Sequence, residues 1–250
     1  MSISGRKVFL LYPHSVIQDD IIYTLVQNEY EVYRLKDHNR ALKLLEQFPD
    51  SILFINIDDR LTENEWEEYI RGIMRNPALD DVRIGILSYN NDEELKKKYL
   101  MEIGITCGFI QLKLGIKEST KIILTVLEAS EAKGRRKFVR VNCEHDSSAQ
   151  FNVSIFDTLV SGKIIDISSI GMAVQFETDP ELQKNTLLEG IQLRLRSSLV
   201  NLSGVVLGFR EERPRHYVIL FTPKTTGGEK TKIRRYIIQS LQGFIESVQV

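Results

Sequence analysis

The sequence is poor in cysteine and has no long apolar run, and both absences narrow the class of protein. Two of the 250 residues are cysteines, Cys107 and Cys143, and neither has a second Cys or a His at metal-ligand spacing. This argues against structural zinc and against a disulfide framework. No run of about 18 apolar residues occurs, and the N-terminus has no signal-peptide cleavage pattern. We therefore expect a cytoplasmic protein without membrane insertion.

Catalytic motifs and a strong net charge are absent as well. There is no Gly-rich phosphate loop, nucleophile elbow or His-Glu metal motif, so we expect no enzyme, cofactor or metal. The chain has 33 basic and 34 acidic side chains, for a net charge of −1, which argues against a uniformly basic DNA- or RNA-binding protein. The charge is divided unevenly, however. Residues 1–130 carry 16 basic and 21 acidic side chains and residues 131–250 carry 17 and 13, so the second half is suited to an anion.

Short apolar runs alternate with amphipathic stretches through residues 1–130. Each run has the length of a buried strand, and each stretch between them has the 3.6-residue period of a helix. Parallel strands need helical crossovers, so this alternation predicts a flavodoxin-like, three-layer α/β domain. The five predicted strands are Val8 to Tyr12, Glu31 to Leu35, Ile52 to Ile57, Val82 to Leu87 and Gly108 to Leu112.

The pattern changes to a period of two in the second half, which is typical of half-buried antiparallel strands. The spacing of the strands and turns predicts a six-stranded antiparallel β-barrel with a C-terminal helix over residues 142–250. Residues 131–141 form a basic linker between the two domains. The predicted helix has one apolar stripe, made of Ile233, Tyr236, Ile237, Leu241, Phe244, Ile245 and Val248.

Two short motifs carry the chemistry of the second half. The first is Arg136-x-x-x-Arg140, preceded by Arg135, and the second is Asp166-x-Ser168-x-x-Gly171. Neither is informative alone, because Arg71-x-x-x-Arg75 has the same arginine spacing on a predicted helix surface. Asp, Ser and Gly also form ordinary turns, in which Gly supplies a positive φ angle. The combination, an arginine cluster before a barrel and a turn between its second and third strands, is far more specific.

With both motifs present in order, residues 135 to about 242 resemble the PilZ family of bacterial cyclic di-GMP receptors. The resemblance implies that Arg136 and Arg140 hold guanine edges and phosphates, as bidentate guanidinium groups can. It implies that Asp166 accepts hydrogen bonds from guanine nitrogens and that Ser168 offers its hydroxyl to the base or phosphate. Gly171 would let the turn approach closely, and Arg135 would clamp a second, stacked ligand molecule.

The first half resembles a response-regulator receiver that lacks its chemistry. Receivers need paired acids after the first strand and an acceptor Asp at the end of the third. Here the first strand ends in Tyr12-Pro13-His14, with no acid, and Asn56 takes the acceptor position. Ser88 and Lys113 match the two remaining receiver positions. Asn cannot form an acyl phosphate, so this half is interpreted as a pseudo-receiver for contact or dimerisation. A shifted register that uses Asp58 stays open.

Three hypotheses follow. The first is a non-enzymatic cyclic di-GMP receptor that responds by a domain rearrangement and acts on a downstream protein through the pseudo-receiver, with a homodimer as an option. The second is a phosphorylatable response regulator whose barrel contacts a partner. The third is a PilZ-like protein adaptor that binds no nucleotide.

Overall fold

The computed structural model describes residues 5–209 and 215–250. The chain divides into two compact units. The first consists of Met1–Lys137 together with Leu241–Val250, and the second of Phe138–Ser240. The last residues of the chain therefore group with the first half, although the sequence led us to expect residues 142–250 as one domain.

A five-stranded parallel sheet forms the centre of the first unit. Its strand order is β2-β1-β3-β4-β5, the order of flavodoxin-like folds. All six residues of β3 are buried, so both faces of the sheet are covered. The α/β prediction is confirmed, and the strands are β1 Lys7–Leu11, β2 Val32–Leu35, β3 Ser51–Asn56, β4 Arg83–Ser88 and β5 Phe109–Gln111.

The connections of this sheet are helical. Helix α3 illustrates how local sequence sets a helix start: the Thr62 hydroxyl accepts the Glu65 N–H, and the Glu65 carboxylate accepts the Thr62 N–H, which is a capping box. Its inward face carries the fully buried Trp66. The helices are α1 Gln18–Gln27, α2 His38–Gln47, α3 Glu63–Arg75, α4 Glu93–Lys97, which continues as a π-helical turn over Lys98–Ile103, and α5 Ile116–Ala129.

The second unit is a closed antiparallel barrel. Six strands pair in the order β8-β7-β10-β11-β12-β9, and the pairing of β8 with β9 closes the ring. A further short strand, β6, pairs with the end of β8. The six-stranded barrel was predicted, whereas β6 falls partly in the expected linker. The strands are β6 Arg140–Asn142, β7 Ala149–Ile155, β8 Thr158–Ser168, β9 Gly171–Phe176, β10 Leu187–Leu195, β11 Ser198–Phe209 and β12 His216–Phe221.

The C-terminal helix α6, Gly227–Ser247, is shared by the two units. Of the predicted apolar stripe, five residues are buried, but Phe244 is 48% exposed, and Val248 lies beyond the last helical residue. Within the second unit, the Tyr236 hydroxyl donates to Asp146 Oδ2 at 2.9 Å. Burial opposes ionisation of Asp146, but bonds from Ser148 and Tyr236 and the charge of Arg196 lower its pKa below the ordinary value. The part of α6 that belongs to the second unit is thus anchored to the barrel through a carboxylate.

The end of α6 is held by the first unit. Strand β2 is an edge strand of the parallel sheet, and the Gln242 side chain satisfies both backbone groups of Arg34 on it: Oε1 accepts the N–H and Nε2 donates to the carbonyl, each at 3.0 Å. The Arg40 guanidinium donates to the carbonyls of Ile245 and Val248 at 2.8 and 2.9 Å. These bonds protect a sheet edge and satisfy helix-end carbonyls that lack partners within the helix.

We predict that Gln242→Ala loosens this edge. Losing two part-buried hydrogen bonds costs about 1–2 kcal/mol, so exchange of the Arg34 amide proton should accelerate about 5- to 30-fold. Amide hydrogen exchange measured by NMR checks this. Gln239→Ala, at an exposed position of the same helix, is the matched control. Equal exchange of Arg34 in the wild type and Gln242→Ala would show that the bond pair is unimportant.

Candidate functional site

The second motif forms the turn that joins β8 to β9. Asp166 and Ser168 lie on β8, and Gly171 is the first residue of β9. Ser168 is only 3% exposed, and its hydroxyl donates to the Gly171 carbonyl at 3.1 Å while accepting the Ile170 N–H at 3.4 Å. The hydroxyl that we expected to face a ligand is therefore used to close the turn.

Gly171 is needed for close packing, and it lacks the positive φ angle that Gly supplies in an ordinary turn. It lies opposite Leu220 in the pairing of β9 with β12. A Cβ atom at this position would stand 2.6 Å from the Ile219 carbonyl oxygen and 3.2 Å from the Leu220 side chain. The close approach is thus made to a neighbouring strand of the barrel.

An arginine and an aspartate meet beside this turn. Strand β6 pairs with β8 so that Arg140 lies opposite Ser168 and Asn142 opposite Asp166. Arg140 Nη1 is 3.7 Å from Asp166 Oδ1, and the two side chains are 48% and 25% exposed. The pair is accessible and loosely held. It therefore presents guanidinium donors and carboxylate acceptors next to each other, which suits a ligand with both anionic and N–H groups.

Arg135 and Arg136 belong to the first unit. They lie after α5 in a segment without regular structure, and both are exposed. Within the described ranges, neither forms an ion pair or a side-chain hydrogen bond. The six predicted site residues therefore fall into two groups, with Arg135 and Arg136 in the first unit and the other four in the second.

Sequence reasoning missed Asn142. It is exposed and lies directly opposite Asp166 across the β6–β8 pair. Its Oδ1 accepts the Glu144 N–H at 2.7 Å, so its amide adds chiefly N–H donors to the accessible side of the site. The signal in the sequence is the alternation of polar Arg140, apolar Val141 and polar Asn142. Over three residues, that alternation is too short to predict a strand.

The receiver-like positions of the first unit are occupied by internal bonds. Asn56, at the end of β3, is 3% exposed and donates through Nδ2 to the Tyr12 carbonyl at 2.9 Å. Asp58 accepts from the Ser88 hydroxyl at 2.5 Å and from the Tyr89 N–H at 2.6 Å. The Asp58 carboxylate thus uses both oxygens, and the hydroxyl at the receiver-like Ser88 position already has an anionic partner.

An aromatic cluster follows the first strand, where a receiver needs acids. Tyr12 has a positive φ of 51°, and its hydroxyl lies 2.9 Å from His38 Nδ1. Its ring meets Trp66 edge-on at 6.1 Å between centroids, and the Arg60 guanidinium lies 5.6 Å from its centre. In the part of the chain that is described, no three His, Cys, Asp or Glu residues are grouped to hold a metal ion.

A protein-family model, described as the PilZ domain, matches residues 134–239. That span contains the complete Arg-x-x-x-Arg and Asp-x-Ser-x-x-Gly motifs and all six strands of the closed barrel. Residues 134–239 are a PilZ domain. Matching only this part, the family model does not describe the α/β half. No curated protein sequence matches the chain.

Solved structures are similar to one half of the chain or the other. The PilZ domain of Escherichia coli YcgR with c-di-GMP has 15% identity and a TM-score of 0.38, covering 46% of this chain and 99% of its own. The Klebsiella pneumoniae MrkH complex with c-di-GMP has 17% identity and a TM-score of 0.36, covering 43% of this chain and 53% of its own. The receiver domain of Mycobacterium tuberculosis NarL has 15% identity and a TM-score of 0.38, covering 52% and 99%.

The family match and the helices of the structure bear on the class of protein. The matched family is one of binding or regulatory domains, and no enzyme family is indicated. Among the helices of the described ranges, none has both the length and the apolar content needed to cross a membrane.

We predict that Gly171→Ala destabilises the PilZ domain. The new methyl group would be forced against the Ile219 carbonyl, so overpacking should lower the free energy of unfolding by about 1–3 kcal/mol. Chemical denaturation followed by circular dichroism measures this. Gly208→Ala on β11 is the control, because a Cβ there meets nothing within 4 Å. Equal midpoints for the two variants would contradict the packing role of Gly171.

Proposed function

We propose that the protein is a receptor for cyclic di-GMP, which it binds through Arg135, Arg136, Arg140, Asp166, Ser168 and Gly171. The observation that carries the proposal is the accessible pair of Arg140 and Asp166 beside the buried turn of a PilZ domain. We propose that the receptor works by binding alone, with no catalytic step and no cofactor.

The ligand has groups that complement this pair. Cyclic di-GMP has two phosphates and two guanines. The Asp166 carboxylate is an acceptor for the N1 and N2 donors of guanine, which no arginine can satisfy. A guanidinium can hold a phosphate, or the O6 and N7 edge of guanine, through two parallel hydrogen bonds. Arg140 is half-exposed and its contact with Asp166 is long, so most of its donors remain available for such bonds.

Ser168 and Gly171 support the site by shaping the turn. The Ser168 hydroxyl already bonds on both sides of the turn, and Gly171 lets β9 pack closely on β12. We assign them a positioning role, in which they fix the backbone that carries Asp166 and Ile170. Their presence in the motif then follows from the geometry of the barrel as much as from contact with the ligand.

Arg135 and Arg136 supply the remaining positive charge. They are exposed and have no acidic partner within ion-pair distance among the described residues, so no existing ion pair must be broken before they bind a phosphate. Arg135 is assigned to a second, stacked ligand molecule, and Arg136 to the first. This charge is local, which suits a small dianion better than a long nucleic acid.

We predict that Arg136→Ala and Arg140→Ala each weaken cyclic di-GMP binding. Loss of a bidentate, charge-assisted contact costs about 3 kcal/mol, which is about 100-fold in Kd. Titration calorimetry on the full chain measures the change. Arg75→Ala is the control, because it removes an exposed arginine from the other Arg-x-x-x-Arg pair. No binding by the wild type would contradict the receptor proposal and leave the protein adaptor and the phosphorylatable regulator.

We predict that the α/β half does not accept a phosphoryl group. Asn56 cannot form an acyl phosphate, and both oxygens of Asp58 are engaged by Ser88 and Tyr89. Incubation with a small phosphodonor and Mg²⁺, followed by intact mass measurement, should give an unchanged mass. A phosphoryl adduct that disappears in Asp58→Asn would instead support the phosphorylatable regulator.

The position of the unit boundary supports the proposed transmission of the signal. The first unit ends at Lys137 and the second begins at Phe138, so the boundary lies between Arg136 and Arg140. A ligand held by both arginines restricts the chain at the boundary itself. We propose that this restriction changes the domain arrangement and that a downstream protein reads the change through the pseudo-receiver.

We predict that cyclic di-GMP changes the distance distribution between spin labels in the two units. Lys121→Cys and Ser154→Cys provide exposed labelling positions, one in each unit, while the native Cys107 and Cys143 are buried. Pulsed electron paramagnetic resonance should show a shifted or narrowed distribution when ligand is added, and none in Arg136→Ala. Identical distributions at saturating ligand would rule out transmission by rearrangement.

A further inference from the structure

A second concave surface lies on the outside of the PilZ domain. Strands β7, β8 and β10 form its floor, and it encloses a cavity of about 350 Å³. That volume is within the range of sites for small ligands. Seven of its eleven lining residues have polar side chains, whereas typical drug-sized pockets are lined mostly by apolar ones. This chemistry points to a small polar ligand.

Two cations flank the centre of this cavity. In the strand pairing, Gln150 on β7 lies opposite Lys163 on β8 and opposite Arg194 on β10. Residues opposite each other share one face of a sheet, so Lys163 and Arg194 stand on either side of Gln150, two strand spacings or on the order of 10 Å apart. Within the described ranges, neither forms an ion pair or a side-chain hydrogen bond. Glu177 is the single acidic residue in the lining.

Neutral hydrogen-bonding groups fill the next row. Asn152 lies opposite Ser161 on one side and Gln192 on the other. In the described chain, these three side chains make no hydrogen bond to another residue, so their donors and acceptors are available. Leu199 lies opposite Arg194 at the rim and is 70% exposed. The cavity thus has two cations that can bind an anion, three neutral polar side chains that can bond to hydroxyl groups, and one apolar side chain at its edge.

We propose that this cavity is a binding site for a small phosphorylated sugar. The phosphate lies over Gln150 between Lys163 and Arg194, because two unpaired cations with a neutral donor between them stabilise a dianion. The sugar hydroxyls bond to the amides of Asn152 and Gln192, and the apolar face of the ring contacts Leu199. The cavity is distinct from the turn at Asp166, since its lining includes none of Arg140, Asp166 and Ser168. The protein therefore has a second input beside cyclic di-GMP.

The test is an NMR titration of the full chain with glucose 6-phosphate, with glucose and inorganic phosphate as separate arms. We expect backbone amide shifts concentrated in residues 150–152, 161–163 and 192–194, and weaker binding of either fragment. Lys163→Ala/Arg194→Ala should weaken binding at least tenfold. Lys184→Ala/Lys224→Ala removes the same charge at exposed positions outside the cavity and should leave it unchanged.

Three outcomes of these titrations would overturn the proposal, and a fourth comes from the arginine motif. The first three are no shifts at millimolar ligand, equal binding by the two double variants, or equal affinity for inorganic phosphate and the sugar phosphate. Repeating the titration on Arg136→Ala/Arg140→Ala separates this site from the cyclic di-GMP site. Unchanged sugar phosphate binding there supports two independent sites, whereas its loss would show that the sugar phosphate binds at the arginine motif. Near-wild-type amide dispersion in each variant confirms that it folds.

Discussion

The pairing of strand β8 with three neighbours is the constraint on which the PilZ domain depends. Its first part pairs with β7, its end pairs with β6, and its other edge pairs with β9 to close the barrel. The β8–β9 pairing that closes the barrel also contains the turn that joins Ser168 to Gly171. The β6–β8 pairing places Arg140 beside Asp166. Barrel closure and the placement of the turn residues therefore depend on the same strand. A substitution that disturbs either should affect both.

The positions of the strands in the first half could be predicted from the sequence, but the roles of individual turn residues in the second half could not. Buried parallel strands read as continuous apolar runs, so β1 to β5 lie within about a residue or two of their predicted positions. The roles of Ser168 and Gly171 were not accessible in this way, because they depend on which strand lies beside β9. Gly171 meets Ile219, which is far away in the sequence. Likewise, only the pairing of β7 with both neighbours brings Lys163 and Arg194 to one cavity.

The α/β unit keeps the receiver-like strand order but has different side chains at its functional edge. Tyr12, His38 and Trp66 form an aromatic cluster after the first strand, and Asp58 bonds to Ser88 and Tyr89. These contacts satisfy internally the groups that phosphotransfer would need free. The sheet edge at Arg34 is covered by Gln242 from helix α6.

The central claim is that one ligand engages both the arginine segment and the turn. Hydrogen exchange measured by mass spectrometry, with and without cyclic di-GMP, tests it most directly, because it reports on both segments in one experiment. The receptor proposal predicts slower exchange in residues 133–142 and in residues 166–172 together, and no slowing in either segment of Arg140→Ala. Protection of one segment alone, or of neither at saturating ligand, would contradict it.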